Sequence, residues 1–324
     1  MTYRIVFTDH DLEDLPTVRA VFDGMDVELV EGNREADRDE MAALVEEADG
    51  IIAGYRTIDA DMMDGMPDCQ VISRAGIGFD TVDLEAATER DIYVTNVPDY
   101  CIPEVSDHAM ALLLALQRNI VTYDRQVRDG GWDVFDARPM RRLSTLTLGL
   151  VAFGDIARSV ASKAAAFGMD VLAFDPYLDP EDIRAGGAEP VADLHEMLSH
   201  CDAVSVHAPL TEGTRGLLDR AAFRQLPEGA VVVNTARGPV IDEADLVAAL
   251  DADDVAAAGL DVLEEEPPGP DDPLLERDDV ILSPHAAWNS RESRIELLEK
   301  SARRVRQALE GEVPESVVNP DVLD

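Results

Sequence analysis

Short apolar runs rich in β-branched residues alternate with amphipathic stretches along almost the whole chain, and that rhythm leaves few folds open. The first series of runs is Arg4 to Thr8, Val27 to Val30, Ile51 to Ala53, Val71 to Ser73 and Ile92 to Thr95, interleaved with stretches such as Arg38 to Glu47. The second is Leu148 to Ala152, Val171 to Phe174, Ala203 to Val206, Ala230 to Asn234, Ala256 to Leu260 and Val280 to Ser283. Strand–helix–strand order of this kind builds parallel sheets with helices on their faces. The fold class is therefore α/β, with two Rossmann-like parallel-sheet domains, the first of them flavodoxin-like. One long helix is expected between the series, from about Pro103 to Arg128, opened by a proline and closed ahead of Gly130 and Gly131. Its face of Met110, Leu113, Leu114 and Gln117 reads as core. A last helical pattern, about Arg291 to Glu310, returns to the first domain, which makes that domain discontinuous. The expected division is 1–98 with 290–324, and 99–289.

Composition narrows the function classes. The chain has 67 acidic against 27 basic residues, a formal net charge of −40, and only Lys163 and Lys300 among the basic ones are lysines. Self-repulsion on this scale opposes compaction in dilute buffer, whereas at molar salt the Debye length is about 3 Å and most of it disappears. An acidic surface and a salt-adapted, halophilic cytoplasm are the reading. A hydrophobic content of 46% and regular strand and helix patterns argue against an acidic disordered chain. The same charge repels phosphate backbones, so no nucleic-acid contact is expected. The longest apolar stretch, Ala109 to Leu116, falls far short of the roughly 20 residues of a membrane span, and no secretory leader is visible, so the expected location is cytoplasmic. Cys69, Cys101 and Cys201 are widely separated and in no ligand spacing, which points to small buried hydrophobes rather than a disulfide framework or a metal site.

The strongest local signal begins at the strand Leu148 to Ala152. The turn that follows, Ala152-Phe153-Gly154-Asp155-Ile156-Ala157, opens a helix running to about Phe167. It is a degenerate form of the G-x-G-x-x-G dinucleotide fingerprint, in which only the second glycine, Gly154, survives. Alanine at 152 and 157 keeps the other two side chains minimal. Asp175 ends the next strand, about 20 residues on, where an acid accepts the ribose hydroxyls. An Asp there repels the extra phosphate of NADP, and Pro176 and Tyr177 offer no cation, so the cofactor reading is NAD; the bland reading of Asp175 is a turn residue before Pro176. Asp155 stabilises the helix start but occupies the region of the pyrophosphate, and Arg158 is placed to compensate.

Hydride transfer to a 2-keto acid needs a cation for the carboxylate, a proton donor beside the carbonyl, and a group that holds the donor protonated. Three strand ends offer candidates: Thr235-Ala236-Arg237-Gly238, Asp261 to Pro267 with Glu266 within it, and Pro284-His285-Ala286-Ala287-Trp288. Singly, each has a bland reading: a surface arginine, a loop acid, a cap after Pro284. Together, at the carboxyl ends of consecutive strands downstream of a nucleotide signal, they favour catalysis. His10, His108, His195 and His200 stand outside this constellation and read as structural or solvent-facing.

At this point the chain resembles the D-isomer-specific 2-hydroxyacid dehydrogenase family, and within it the branch of the C-terminal-binding protein dehydrogenases. The resemblance covers nearly the whole chain and is carried by Ser73 to Asp80, Val94 to Tyr100, Gly149 to Tyr177, His207 to Thr211, Val233 to Gly238, Gly259 to Pro267 and Ser283 to Trp288. It implies that Arg237 grips the substrate carboxylate and carbonyl, that His285 donates the proton during reduction, and that Glu266 pairs with His285. It further implies substrate contacts from the backbone of Ala75, Gly76, Ile77 and Gly78, and a pocket wall at Trp288. Phe153, Gly154, Asp155, Ile156, Asp175, His207, Ala208, Thr214, Thr235, Ala236 and Asp261 are implied to line the cofactor. The function implied is hydride transfer between NAD(H) and a small D-2-hydroxy or 2-keto acid, with residues 1–98 and 290–324 binding substrate and 99–289 binding NAD. A homodimer formed through the long helix near Pro103 is the expected assembly. Two alternatives stand: an NAD(H)-sensing, corepressor-like interaction protein, and phosphoglycerate dehydrogenase, for which Arg56 or Arg74 would have to serve the phosphate. Formate dehydrogenase chemistry is disfavoured because its relatives place glutamine where Glu266 stands; phosphite oxidation is harder to dismiss.

Overall fold

The computed structural model describes residues 2–8, 15–33 and 36–323. The described elements run β1 (Tyr3–Phe7), α1 (Leu15–Val21), β2 (Val27–Glu31), α2 (Arg38–Val45), β3 (Gly50–Ala53), α3 (Ala60–Asp64), β4 (Val71–Arg74), α4 (Leu84–Thr88) and β5 (Tyr93–Thr95). There follow α5 (Ile102–Gln117), α6 (Ile120–Arg128), β6 (Thr147–Val151), α7 (Asp155–Ala166), β7 (Asp170–Phe174), α8 (Pro180–Ala185), β8 (Glu189–Pro190) and α9 (Leu194–Leu198). The chain continues through β9 (Ala203–Val206), α10 (Arg220–Phe223), β10 (Val231–Asn234), α11 (Glu243–Asp251), β11 (Ala257–Leu260), β12 (Val280–Leu282) and α12 (Arg291–Leu309). The fold is α/β with two parallel sheets, as the strand–helix rhythm requires.

Two compact units divide the chain, Met1–Cys101 with Asn289–Asp324, and Ile102–Trp288. The first holds a five-stranded sheet in the order β2-β1-β3-β4-β5, the flavodoxin-like order. Alternate residues of one strand feed opposite faces. Ile51 and Ala53 of β3 join the layer with Met41, Val45 and Met63, while Ile52 joins the layer with Leu298, Ala302 and Val305 of α12. The C-terminal helix thus covers one face of the N-terminal sheet, and it starts at Ser290 with a reciprocal capping box to Ser293.

The second unit holds a seven-stranded sheet in the order β12-β11-β10-β9-β6-β7-β8. Its pairings are parallel throughout. Val231 and Val233 of β10 face the layer of α5 and α7; Val232 faces the layer of α9, α10 and α11. Each fully buried side chain of this size is worth about 1.5–3 kcal/mol. Strand order reverses between β6 and β9, the switch point outside which open sheets bind their ligands. The two-residue edge strand β8 is too short to leave a periodic signal.

The long helix expected from Pro103 to Arg128 is two helices. Asn119 sits between α5 and α6 with φ 52°, a left-handed conformation that breaks the helical hydrogen-bond ladder. Its amide Nδ2 donates to the carbonyl of Arg138, 19 residues further along, at 2.6 Å, so a long-range side-chain bond holds the chain in the break. Met110, Leu113 and Gln117 are buried, as expected of a core face, whereas Leu114, expected with them, is half-buried.

The two lysines flank the point where the chain leaves the first unit. Lys300 Nζ pairs with Asp99 at 2.7 Å and Glu296 at 2.6 Å. Lys163 Nζ pairs with Asp107 at 2.6 Å and donates to Ser106 Oγ and the Pro103 carbonyl. Cys69, Cys101 and Cys201 are buried and form no disulfide, and burial pushes the thiols of Cys69 and Cys201 up to about 12.

Candidate active site

The second unit gathers the sequence-derived candidates at the carboxyl ends of β6, β7, β9, β10, β11 and β12. After β6 the chain turns sharply through Ala152, which carries φ 68°, and enters α7. Gly154 is the N-cap of that helix; it has ordinary extended backbone, makes no side-chain cap, and a Cβ built on it would meet nothing within 4 Å. Neither backbone strain nor internal packing therefore demands glycine at 154. What it leaves is an uncapped helix N-terminus with open approach, the site an anion such as a pyrophosphate uses. Ala157, at the third fingerprint position, is fully buried in the α5–α7 layer, where a small residue lets helix and strand meet. The Asp175 carboxylate accepts from the Phe153 amide at 2.9 Å and from the Tyr177 amide at 2.9 Å, so it braces the turn and retains acceptor capacity for hydroxyls. The turn role of Asp175 is thus on view, and it is compatible with the ribose contact expected of it. Phe153 and Ala208 are core side chains, so what they offer outward is backbone. Arg158 is committed elsewhere, stacked on the Phe153 ring and donating to the Asp182 carbonyl at 3.0 Å, and the compensation expected of it beside exposed Asp155 is not what its guanidinium is bonded to.

The His207 ring contacts Ser205 Oγ at 2.9 Å, and burial pushes its pKa down to about 4, so it stays neutral near pH 7. Thr214 closes its own loop by donating to the Pro209 carbonyl. Thr235 is buried, and its hydroxyl has no hydrogen-bond partner among the described residues. A buried orphan hydroxyl in a dinucleotide fold is an observation that a bound cofactor would account for. These features fit NAD: the uncapped helix start for its pyrophosphate, Asp175 for the ribose, Thr235 for a further polar contact.

Arg237 follows β10 in a turn held by Asn234, whose Nδ2 donates to the Arg237 carbonyl and whose Oδ1 accepts from the Ala236 amide. The next residue must be glycine, because a Cβ at Gly238 would overlap the backbone of Leu263. That close approach brings the Arg237 turn against the loop carrying Glu266. Glu266 Oε1 accepts from the Leu263 amide at 3.0 Å, and Oε2 lies 2.6 Å from His285 Nδ1. Burial raises the Glu266 pKa, but its bonds to His285 and Leu263 and the nearby Arg237 charge outweigh it and hold the carboxyl below its ordinary range. His285 itself has φ 51°, unusual for a side chain of its size. With Nδ1 turned to Glu266, Nε2 is the ring nitrogen that points away from the pair.

Asp261 is 1% exposed and organises the histidine turn. Its carboxylate accepts from Ser283 Oγ, the Ala286 amide and the Ala287 amide, at 2.6, 2.9 and 2.8 Å. His108 on α5, read from the sequence as structural or solvent-facing, lies 2.8 Å from Ser283 Oγ. No linear signal links positions so distant in sequence. Asn234 escaped the sequence reading too, although an Asn closing a β-strand is a recognisable turn signal. His10 lies outside the described residues. Among the described residues, no group of three or more His, Cys, Asp or Glu side chains is placed to hold a metal ion.

In the first unit, Ala75 to Gly78 form the loop after β4. Gly76 has φ 157°, the Asn96 Nδ2 donates to the Ile77 carbonyl at 2.7 Å, and neither the Ile77 nor the Gly78 N–H has an acceptor among the described residues. Arg74 stacks on Tyr55 and donates to the Ala75 carbonyl.

A family model for the NAD binding domain of D-isomer specific 2-hydroxyacid dehydrogenases matches residues 110–287, more than half the chain. The chain belongs to the D-isomer-specific 2-hydroxyacid dehydrogenase family. These are NAD-dependent oxidoreductases acting on the CH–OH group, and the match to the model of their NAD binding domain, residues 110–287, falls within the 102–288 unit. This dehydrogenase is 39% identical over 270 residues to the glyoxylate reductase of Korarchaeum cryptofilum, covering 82% of this chain and 81% of that one. It is 38% identical over 303 residues to the D-3-phosphoglycerate dehydrogenase of Mycobacterium bovis, covering 93% of this chain but 56% of that protein. The chain thus spans little more than half the length of that relative. The crystal structure of Aquifex aeolicus D-lactate dehydrogenase, complexed with NAD and lactic acid, matches at a TM-score of 0.86 and 26% identity, covering 95% of this chain and 96% of that one. Among the described residues, no helix is long and apolar enough to cross a membrane.

Proposed function

We propose that this dehydrogenase interconverts a small, unphosphorylated 2-keto acid and its D-2-hydroxy acid with NAD(H), using Arg237, Glu266 and His285. The observation that carries the proposal is the 2.6 Å contact between Glu266 and His285 in a turn held at positive φ, with the Arg237 charge beside it. In the reducing direction Arg237 binds the carboxylate and polarises the carbonyl, and His285 Nε2 gives its proton to the carbonyl oxygen. Glu266 accepts from Nδ1–H and stabilises the imidazolium that must be present beforehand. The reduced nicotinamide supplies the hydride. The amides of Ala75 to Gly78 are proposed as further donors to the carboxylate, and Trp288 as a pocket wall. Residues 1–98 with 290–324 are assigned to substrate and 99–289 to NAD.

The preference for NAD over NADP rests on Asp175, with Pro176 and exposed Tyr177, neither of them a cation for a 2′-phosphate, next to it in the chain. The absence of phosphate from the substrate rests on the lack of a cation cluster in the sequence beyond the candidates Arg56 and Arg74, of which Arg74 is engaged with Tyr55 and the Ala75 carbonyl. The Ser283 to Trp288 run supports placement in the C-terminal-binding protein branch. The assembly is proposed to be a homodimer: Trp132 and Phe135, each 88% exposed, with Val134 beside them, offer apolar surface that a second copy would cover. The contact is proposed to include this segment after α6, next to the long helix near Pro103 that was expected to form it. A salt-rich cytoplasm is the proposed setting.

The test is a steady-state screen of glyoxylate, pyruvate, hydroxypyruvate and 3-phosphohydroxypyruvate with NADH and NADPH in concentrated potassium chloride. Turnover of an unphosphorylated keto acid with NADH is expected. A strong NADPH preference refutes the role of Asp175, and turnover of the phosphorylated acid alone refutes the substrate class. Tight NADH binding with no turnover of any acid replaces catalysis by sensing.

A further inference from the structure

His285 occupies a backbone conformation that costs a non-glycine residue about 1–2 kcal/mol, so its turn persists only because its surroundings fix it. Those surroundings converge on Asp261. The His285 amide donates to the Asp261 carbonyl at 2.8 Å, and the next two amides, Ala286 and Ala287, donate to its two carboxylate oxygens. Ser283 Oγ gives its one proton to Asp261 Oδ1 at 2.6 Å. That commitment fixes the direction of the next bond. At the 2.8 Å contact between Ser283 Oγ and His108 Nε2, the imidazole is the donor and the hydroxyl the acceptor. His108 Nε2 also lies 3.5 Å from Asp261 Oδ1, and no arginine or lysine among the described residues forms an ion pair with that carboxylate. One directed row therefore runs from the middle of α5 through Ser283 to the residue that orients the turn of the proton donor.

We infer that His108 is a positioning residue for His285, acting through Ser283 and Asp261. The inference rests on the reading of His285 as the proton donor. Its anchor is mechanically sound: α5 is a 16-residue helix whose apolar face packs into the sheet, so the imidazole it carries is a fixed post against which a strained turn can be held. A glutamine in place of His108 presents an amide N–H where Nε2–H stands; alanine presents nothing.

The experiment compares His108→Ala, His108→Gln and Ser283→Ala in the intact protein at high salt. Three readouts are taken: kcat and KM with NADH and the best keto acid, thermal melting, and the downfield proton NMR signal of His285 Nδ1–H bonded to Glu266, assigned by its loss in His285→Gln. His108→Ala is expected to lower kcat about 10-fold, as a small misplacement of a reacting group does, with KM for NADH unchanged. It is also expected to broaden the downfield signal. His108→Gln restores both, and Ser283→Ala reproduces the alanine phenotype without adding to it in the double variant. Wild-type kcat in His108→Ala overturns the inference, as does a reduced kcat with an intact downfield signal. A His108→Gln protein that melts like wild type yet is as impaired as His108→Ala overturns it too. Should the wild type turn over no keto acid, the functional reading fails, while the NMR comparison still decides whether His108 positions His285.

Discussion

Ala152 holds φ 68° at the position where the dinucleotide fingerprint has its first glycine. A left-handed alanine costs about 1–2 kcal/mol, partly offset by the greater unfolded-state freedom of glycine, so Ala152→Gly is expected to raise stability by about 1 kcal/mol. Denaturant unfolding checks it; a loss of stability contradicts the assigned backbone. At His207 the folded ring protonates near pH 4 instead of 6.5, so between those values the unfolded chain binds the extra proton. Stability therefore falls as pH drops from about 6.5 towards 4, and His207→Asn is expected to flatten the melting temperature across that window relative to wild type. An unchanged slope shows that the ring is not buried neutral. His285→Gln is expected to cut kcat/KM by about 10²–10⁴-fold while NADH binding, read by fluorescence, persists; coincident loss of binding would point to a misfolded turn instead. Arg237, Glu266 and His285 were legible because each follows a strand end beside telltale residues. The uses made of Asn234, Ser283 and His108 were not, since hydrogen bonds across long sequence separations leave no periodicity to read.

At the scale of elements, the strand runs stood out because a strand buried on both faces needs a nearly continuous apolar stretch, as in Val231–Asn234 and Ala203–Val206, where Asn234 and Ser205 are the polar exceptions. The division of the long helix did not, because Asn119 lies in an otherwise helical pattern and its break depends on the distant Arg138 carbonyl. Asn119→Ala loses that bond and retains the left-handed cost, for an expected destabilisation of about 2 kcal/mol; Asn119→Gly loses the bond alone, about 1 kcal/mol. Calorimetry separates the two, and an alanine variant as stable as wild type would contradict the break. The two-residue β8, closing with Pro190, shows the lower limit of what hydropathy can reveal.

For the whole molecule, 67 acids against 27 bases leave the charge of −40 without internal compensation. Described ion pairs such as Arg38 with Asp59, Arg90 with Asp64 and Arg277 with Asp251 and Asp279 draw mainly on arginine, and most are solvent-exposed. Screening of the remaining repulsion predicts that the melting temperature climbs between about 0.1 and 1 M potassium chloride, where the Debye length falls from about 10 to 3 Å. A melting temperature indifferent to salt would refute adaptation to brine.

Lysine is so rare in this chain that each compact unit owns a single side-chain amine, Lys300 in one and Lys163 in the other, each gripped by a carboxylate. Reductive ¹³C-methylation would consequently install one side-chain reporter per body without altering a codon, and the two lysine resonances, distinct from that of the α-amine, could be followed separately as nucleotide is titrated in.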